Sequence, residues 1–413
     1  MIGFSRFTLT NGLRVLVHED RSTPLAAMNV LYNVGARDED PGMTGLAHLF
    51  EHLMFGGTAG IPEYDLPLQL AGGESNAFTS NDITSYYLTV PADNIETGFW
   101  LESDRMSGID LSQRNLDVQK SVVIEEYNQR YLNQPYGDAL LLLRPLAYKV
   151  HPYRWPTIGS SITHIKNADL DTATRFFASH YAPNNAILTL SGNIDADSAL
   201  RLAEKWFGPV PPAVIRDRDL PGEPEQKEER RLEIEKDVPS DALYKAWHMG
   251  PRQSDDFYPV DLITDLLAGG ESGRLHTILV RQQNLFSDIN AYITSEIDPG
   301  LIILEGRLMK GINIKDADNA VNEVINDLKD KFPEPDEMEK VKNKFEASTV
   351  LTNTNILTKA LSLSFFELLG NPDFINSEID RYRAVTPEIV KAAALKYFMK
   401  ENCSTLYYLS GKK

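Results

Sequence analysis

The sequence predicts an α+β protein built from two homologous α/β sandwich domains, each a mostly antiparallel sheet packed with helices. Three observations support this prediction: strand-like and helix-like segments alternate, the two halves of the chain resemble each other, and a polar segment separates them. The chain has 413 residues, more than one ordinary hydrophobic core requires. We therefore expect domains at residues 1–210 and 231–413, joined by a proline-rich, charged linker at residues 211–230.

The hydrophobic pattern of the first half distinguishes strands from helices. Short runs of apolar and β-branched residues predict strands, and apolar residues three and four apart predict helices. Asp195 precedes one helical segment and is expected to be its N-cap. The predicted strands are 13–18, 26–34, 85–90 and 186–191, and the predicted helices are 45–55, 93–106, 115–132, 169–180 and 195–207.

The second half repeats the order of the first. A strand-like run at residues 26–34 leads through an acidic turn to a helix ending at Gly56, and residues 242–249 lead in the same way to Gly269. The offset between these glycines is 269 − 56 = 213 residues, and the Leu-Ser-Gly sequences that close the halves differ by 411 − 192 = 219. A small drift of this kind is typical of a duplicated domain with loop insertions.

Charge and cysteine content exclude several classes of protein. With 41 basic and 59 acidic residues, the net charge is −18, which disfavours binding to nucleic acid or to an anionic membrane. Cys403 is the single cysteine, so an intrachain disulfide and a multi-cysteine zinc site are both excluded. No apolar run is long enough to span a membrane. We expect a soluble protein, cytoplasmic by default and periplasmic if a signal peptide has been removed.

Two histidines form a potential metal site in the sequence HLFEH. His48 and His52 are four residues apart, so on a helix their side chains lie about 40° apart around the axis. Glu51 borders the same face, where it is badly placed as a third ligand but well placed to accept a proton from water. Two histidines on a buried helix would be costly without a partner, which favours a zinc site over a chance spacing.

A third zinc ligand must come from another segment. The helix DVQKSVVIEEYNQR offers Glu125 and Glu126 directly after three apolar residues. Buried acids beside a cation are favourable, whereas without a cation they are costly. The spacing alone does not choose between the two.

The motifs as a set resemble those of the pitrilysin/insulysin family of zinc metallopeptidases. HLFEH is followed 126 − 52 = 74 residues later by the second acid of VVIEE, and TNGLRVLV, GGESNAFTSNDITSYYLTVP and YAPNNAILTLSGN occur in the family's order. This resemblance implies Zn²⁺ ligands His48, His52 and Glu126, with Glu51 as the general base. Many relatives carry a further Glu seven residues before the acidic ligand, where this chain has Gln119, so we expect Gln119 to adjust the ligand rather than abolish binding.

The resemblance also implies a substrate-binding strand and a role for the second half. Asn76, Ala77, Phe78 and Thr79 are expected to form a strand at a sheet edge that pairs with an extended peptide. In the second half, Arg281 resembles the arginine of a substrate-binding Arg–Tyr pair. The position of the tyrosine is occupied by Ser287, and Tyr292 lies five residues later.

The second half does not repeat the metal motif. The 213-residue offset places Asp261, Thr264 and Asp265 opposite His48, Glu51 and His52, so we expect one metal site, in the first half only.

These features together predict a zinc endopeptidase that cleaves short, unstructured peptides. The family resemblance implies a homodimer, or a heterodimer with a homologous subunit, that encloses the peptide. Two alternatives are a non-catalytic subunit of the same fold and a zinc hydrolase of non-peptide bonds. The intact HLFEH motif argues against the first alternative, and the peptide-pairing strand argues against the second.

Overall fold

The computed structural model describes residues 1–215 and 218–411. Residues 216 and 217, inside the predicted linker, and residues 412 and 413, at the end of the predicted second domain, lie outside the described residues. The chain divides into two compact units, and neither is contiguous in sequence. Unit 1 comprises Met1–Tyr127, Trp155–Leu220 and Val350–Ser377, and unit 2 comprises Asn128–Arg154, Pro221–Thr349 and Glu378–Lys413.

Unit 1 contains a six-stranded sheet in the order β1-β2-β6-β3-β5-β4. All neighbouring strands are antiparallel except β2 and β6, which are parallel. The central strands β3 and β6 are almost wholly buried, as expected for a sheet covered by helices on both faces. The strands are β1 (Ser5–Thr8), β2 (Arg14–Glu19), β3 (Leu25–Tyr32), β4 (Glu74–Thr79), β5 (Thr84–Pro91) and β6 (Ala186–Gly192).

Some helices of unit 1 pack against this sheet, and others pack on those helices. The predicted N-cap is present, since the Asp195 carboxylate accepts a hydrogen bond of 2.8 Å from the Ser198 N–H. The predicted helix 115–132 is an α-helix only to Tyr127 and continues as a π-helical segment, Asn128–Leu132. The helices are α1 (Leu46–Leu53), α2 (Asp65–Leu70), α3 (Ile95–Ser107), α4 (Gln113–Tyr127), α6 (Ile162–Asn167), α7 (Leu170–His180), α8 (Ala196–Phe207) and α12 (Ile356–Leu368).

Unit 2 contains a five-stranded sheet in the order β7-β11-β8-β10-β9. The pair β7 and β11 is parallel, and the other pairs are antiparallel. Its strands are β7 (Arg230–Lys236), β8 (Ala242–His248), β9 (Phe286–Ile293), β10 (Leu301–Leu308) and β11 (Cys403–Ser410). Its helices are α5 (Ala139–Ala147), α9 (Phe257–Ala268), α10 (Ile314–Asp330) and α14 (Pro387–Tyr397), while α11 (Pro335–Thr352) and α13 (Phe374–Ala384) cross the unit boundaries.

The two sheets share one topology. Taken in chain order, β2 to β6 of unit 1 and β7 to β11 of unit 2 are arranged identically: first, fifth, second, fourth, third. The predicted α+β fold with two homologous sandwiches is therefore confirmed. The one additional strand, β1, pairs with β2 at the outer edge of the first sheet.

Each unit takes a helix from the opposite half of the sequence. Helix α12, from the second half, packs Leu363 and Phe366 against the unit 1 sheet. Helix α5, from the first half, packs in unit 2 against β8 and β11. The boundaries predicted at residues 210 and 231 separate the two halves in sequence only. In the fold, α5 of the first half belongs to unit 2, and α12 of the second half belongs to unit 1.

Within the described part of the chain, no helix combines the length and the apolarity needed to cross a membrane.

Candidate metal centre

Helix α1 presents two histidines on one face, as the spacing predicts. Leu46, Leu49, Phe50 and Leu53 are buried, which fixes the orientation of this short helix. The imidazole rings of His48 and His52 are then neighbours, with their centroids 4.9 Å apart. The His48 side chain is 11% exposed and that of His52 is 25% exposed. Both side chains are therefore mostly buried, but solvent still reaches part of each.

Helix α4 brings Glu126 to the same point. Its Oε2 atom lies 3.5 Å from Nε2 of His48 and 3.4 Å from Nε2 of His52. Glu125, the other acid that the sequence offers, directly precedes Glu126 on the helix and is exposed. Among the described residues, His48, His52 and Glu126 form the only group of three or more that could hold a metal ion.

The geometry of this group fits a zinc ion. Zinc bonds to nitrogen or oxygen of about 2.0–2.1 Å, combined with tetrahedral angles, place neighbouring ligand atoms about 3.3–3.4 Å apart. The separations of 3.4 and 3.5 Å between Glu126 and the two histidines match this value. Two imidazoles and one carboxylate are also a donor set typical of catalytic zinc, which leaves a fourth position open.

Glu51 lies beside the ligands and is held by an edge strand. The Thr79 hydroxyl donates a hydrogen bond of 2.6 Å to Oε2 of Glu51. Thr79 is the last residue of β4. The bond therefore joins that strand to α1, which we call the metal helix because it carries His48 and His52. One carboxylate oxygen of Glu51 is thereby fixed in position next to the metal ligands.

Among the described strands, β4 pairs only with β5, so the strand that carries Thr79 lies at an edge of its sheet. The Ser80 N–H bonds to the carbonyl of Ile83, which sets the alternation of hydrogen-bonded pairs along this hairpin. By that alternation the backbone groups of Ala77 point away from β5, and its N–H is bonded by the Asn76 side chain at 2.8 Å. Phe78 is 37% exposed beside the same edge.

Two family models match the chain. "Insulinase (Peptidase family M16)" matches residues 14–152, and "Peptidase M16 inactive domain" matches residues 167–345. The chain belongs to the peptidase M16 family. The resemblance to insulysin-type peptidases that the motifs predict is therefore confirmed.

Curated relatives of the chain are named as zinc proteases. The zinc protease PqqE of Helicobacter pylori is 31% identical over 288 residues, which span 68% of this chain and 64% of that protein. The uncharacterized zinc protease YmxG of Bacillus subtilis is 25% identical over 413 residues, covering 98% of both chains.

Solved M16 structures share the fold. A protease from Helicobacter pylori superposes with a TM-score of 0.93 at 24% identity, covering 99% of this chain and 100% of that one. The peptidase M16 inactive domain from Pseudomonas fluorescens gives a TM-score of 0.88 at 19% identity, covering 100% and 98%.

The second half of this M16 chain has no metal group among its described residues. Helix α9 occupies the place of α1, and its acids have other partners. Asp261 accepts a hydrogen bond of 2.6 Å from the Tyr382 hydroxyl, and Asp265 pairs with Lys344 at 2.6 Å. Burial raises the pKa of Asp261 above its usual range. These acids serve packing within unit 2.

The remaining predicted site residues have simpler surroundings. Gln119 is half-buried on α4, two turns before Glu126. Arg281 is exposed in a π-helical segment of unit 2, where it pairs with Glu271. The ring of Tyr292 packs against the core of unit 2 and is partly buried. Ser287 is exposed. Their roles toward a peptide stay predictions.

Buried charges behind the metal helix escaped the sequence analysis. Arg105, 1% exposed, donates hydrogen bonds of 2.8 and 2.6 Å to Glu102. Its guanidinium lies over the rings of Tyr86 and Tyr64, at 4.3 and 4.6 Å from their centroids. The Tyr86 hydroxyl donates in turn to the carbonyl of Phe50 in α1 at 3.3 Å. A buried ion pair in an aromatic surround thus supports the back of the metal helix.

Proposed function

We propose that this chain is a zinc-dependent endopeptidase that hydrolyses short peptides bound in an extended conformation. The observation that carries the proposal is the meeting of His48, His52 and Glu126 beside a held Glu51, next to an open sheet edge. Two imidazoles and one carboxylate would hold the ion. When bound, zinc supplies a Lewis acid that polarises a peptide carbonyl and acidifies water.

Glu51 is the general base of this proposal. It lies on the helix that carries His48 and His52 but is not one of the three candidate ligands, so we assign it proton transfer and not metal binding. The Thr79 hydroxyl donates a hydrogen bond to one oxygen of this carboxylate and so orients it. After attack, the same carboxyl group would deliver the proton to the leaving amine, so one residue serves both steps.

The free edge of β4 is proposed to bind the peptide. Its outward backbone groups would pair with an extended substrate as an added strand, which fixes the peptide backbone without demanding a particular sequence. Asn76 already bonds the Ala77 N–H, so its side chain would turn aside or bridge to the peptide. Ala77 is small enough for close approach, and Phe78 offers an apolar contact. Pairing of this kind needs an extended backbone with unpaired N–H and C=O groups, which an unstructured peptide offers more readily than a folded protein.

A second subunit is part of the proposal. The chain carries one metal group among its described residues and Arg281 without the tyrosine of the family's pair. We propose a homodimer, or a heterodimer in which a homologous subunit supplies the missing contact. Activity of the isolated homodimer that is lost on Arg281→Ala would reject an obligatory heterodimer, whereas an inert, zinc-loaded chain activated by a homologue would support it.

Zinc content and cleavage of an unstructured peptide library by the purified chain test the function itself. We expect one zinc ion per chain and metal-dependent cleavage that a chelator abolishes and added zinc restores. Zinc binding without cleavage, alone or with a homologous partner, would favour a non-catalytic subunit instead.

A further inference from the structure

Glu39 is a buried acid that the chemistry described so far does not use. It lies in the loop between β3 and the metal helix, and the residue is only 5% exposed. Its two carboxylate oxygens accept separate hydrogen bonds: Oε2 from the Gly45 N–H and Oε1 from the Ala47 N–H, each 2.8 Å long. Glu39 therefore bonds the backbone where the metal helix begins.

This contact replaces a cap that the helix lacks. The first N–H groups of a helix have no partner within it, and an N-cap side chain usually bonds one of them. The N-cap of α1 is Gly45, which has a left-handed conformation with φ of 91° and no side chain. Glu39 supplies both bonds from six residues upstream, and His48 is the third residue of the helix that they fix.

Burying the carboxyl group of Glu39 costs free energy that an exposed helix cap does not lose. Burial raises the pKa of Glu39 to about 8, while the N–H groups of Gly45 and Ala47 lower it. A helix cap is ordinarily an exposed Ser, Thr, Asp or Asn at the N-cap position itself, where no such cost arises. A buried acid from a separate loop fixes the helix against a second element as well.

The loop that carries Glu39 is itself bonded to the β4–β5 turn. The Arg37 guanidinium pairs with Asp82 at 3.0 Å, both side chains being buried, and the Arg37 N–H bonds to the carbonyl of Asn81 at 2.9 Å. The same hairpin carries Thr79, which bonds Glu51. Loop, hairpin and helix thus form a closed ring of contacts that holds α1 at its beginning through Glu39 and near its end through Glu51.

We propose that Glu39 is a positioning residue for the metal centre. Its carboxyl group sets where α1 begins and how the helix is rotated, and so holds His48 and His52 at the separations from Glu126 that one zinc ion can bridge. The proposal rests on the proposed function, because it assumes that these three residues bind zinc. The rival account is that Glu39 is a helix cap that only stabilises the fold.

Zinc affinity and thermal stability, measured side by side, separate the two accounts. Glu39→Gln keeps the size of the side chain but replaces one of its two oxygens with an NH₂ group. That group cannot accept a hydrogen bond from the backbone N–H that it faces. Asp195→Asn is a matched control, because Asp195 caps α8 of the same unit by the same kind of bond and is distant in sequence from the metal residues. Both variants, and the unsubstituted chain, would be compared by chelator competition with Zn²⁺ and by Tm of the metal-free form.

We expect Glu39→Gln to weaken zinc binding at least tenfold, and Asp195→Asn to leave it unchanged even where the fall in Tm is similar. Equal zinc affinity of Glu39→Gln and the unsubstituted chain would overturn the role of Glu39 alone. Absence of zinc binding by the unsubstituted chain would overturn the proposed function and this role with it. If Glu39→Gln does not fold, Glu39→Asp, which keeps the carboxyl group but is too short to reach both N–H groups, is read by the same criteria.

Discussion

The hydroxyl of Thr79 lies 2.6 Å from Oε2 of Glu51. The bond links the last residue of the edge strand to the acid that borders the metal ligands. Thr79 was expected to contact a peptide, whereas in the structure its side chain bonds to Glu51, the proposed general base. The strand proposed to bind substrate therefore also orients the proposed general base.

Thr79→Val should lower kcat by about tenfold and change KM little, because a bond to a carboxylate is lost while the strand edge is kept. Thr79→Ser, which retains the hydroxyl, should recover most of the rate. The measurement is steady-state cleavage of one unstructured peptide by both variants. A Val variant as active as the unsubstituted chain would show that the bond does not orient the base.

The metal ligands predict a second result. His48→Ala and Glu126→Ala should each lose zinc while keeping the fold, since each removes one of three ligand atoms. Glu125→Gln is the matched control, because Glu125 is the exposed neighbour on the same helix. Metal content by elemental analysis, together with circular dichroism, checks this. Loss of zinc in Glu125→Gln but not in Glu126→Gln would reverse the assignment.

The free edge of β4 predicts a third result. Ala77→Pro removes an outward N–H, so peptide pairing should weaken and kcat/KM should fall by about tenfold or more with zinc still bound. Ala77→Ser keeps the N–H and should remain close to the unsubstituted chain. Cleavage of a series of peptides by the zinc-loaded variants provides the test. Unchanged kcat/KM for the proline variant would mean that substrates do not pair with this edge.

An ion pair between α12 and the first half of the chain predicts that the free energy of unfolding depends on pH. Lys359 on α12 donates a hydrogen bond of 2.7 Å to Asp20, and this bond, with those from Ser22, holds the pKa of Asp20 below its usual range. An acid with a lowered pKa stabilises the fold above its unfolded pKa of about 3.9, and the contribution is lost as the pH falls through the folded value.

Asp20→Asn should therefore cost about 0.5–1 kcal/mol of unfolding free energy at pH 7, the range for a partly exposed ion pair. The difference should shrink steadily below about pH 4. Urea unfolding at several pH values measures it, with Asp197→Asn, an exposed acid on α8, as the control. A difference that is constant from pH 7 to pH 3 would exclude the ion pair as its cause.

Local periodicity predicted the features that depend on neighbours in sequence. The spacing of His48 and His52 was sufficient to place both rings on one helical face, and the repeated segment order was sufficient to predict two sandwiches. The choice between Glu125 and Glu126 needed the family resemblance, because the rotation of α4 against α1 is set by tertiary packing.

Contacts between distant segments could not be predicted in this way. Glu39 looked like one acid in an acidic turn, and nothing in its spacing shows that its carboxylate reaches the start of α1. The burial of the Glu102–Arg105 pair among tyrosines is likewise not evident from its three-residue spacing. The exchange of α5 and α12 was equally hidden, since an apolar helix face does not identify the sheet that it covers.

The most direct test of the account is the turnover of Glu51→Gln at full zinc occupancy. Because Glu51 is proposed to accept the proton and is not one of the three candidate ligands, the variant should bind as much zinc as the unsubstituted chain. Its cleavage of an unstructured peptide should be slower by about 10²–10⁴-fold, the usual contribution of a general base. A zinc-loaded Glu51→Gln chain that cleaves the peptide at the unsubstituted rate would contradict the proposed mechanism.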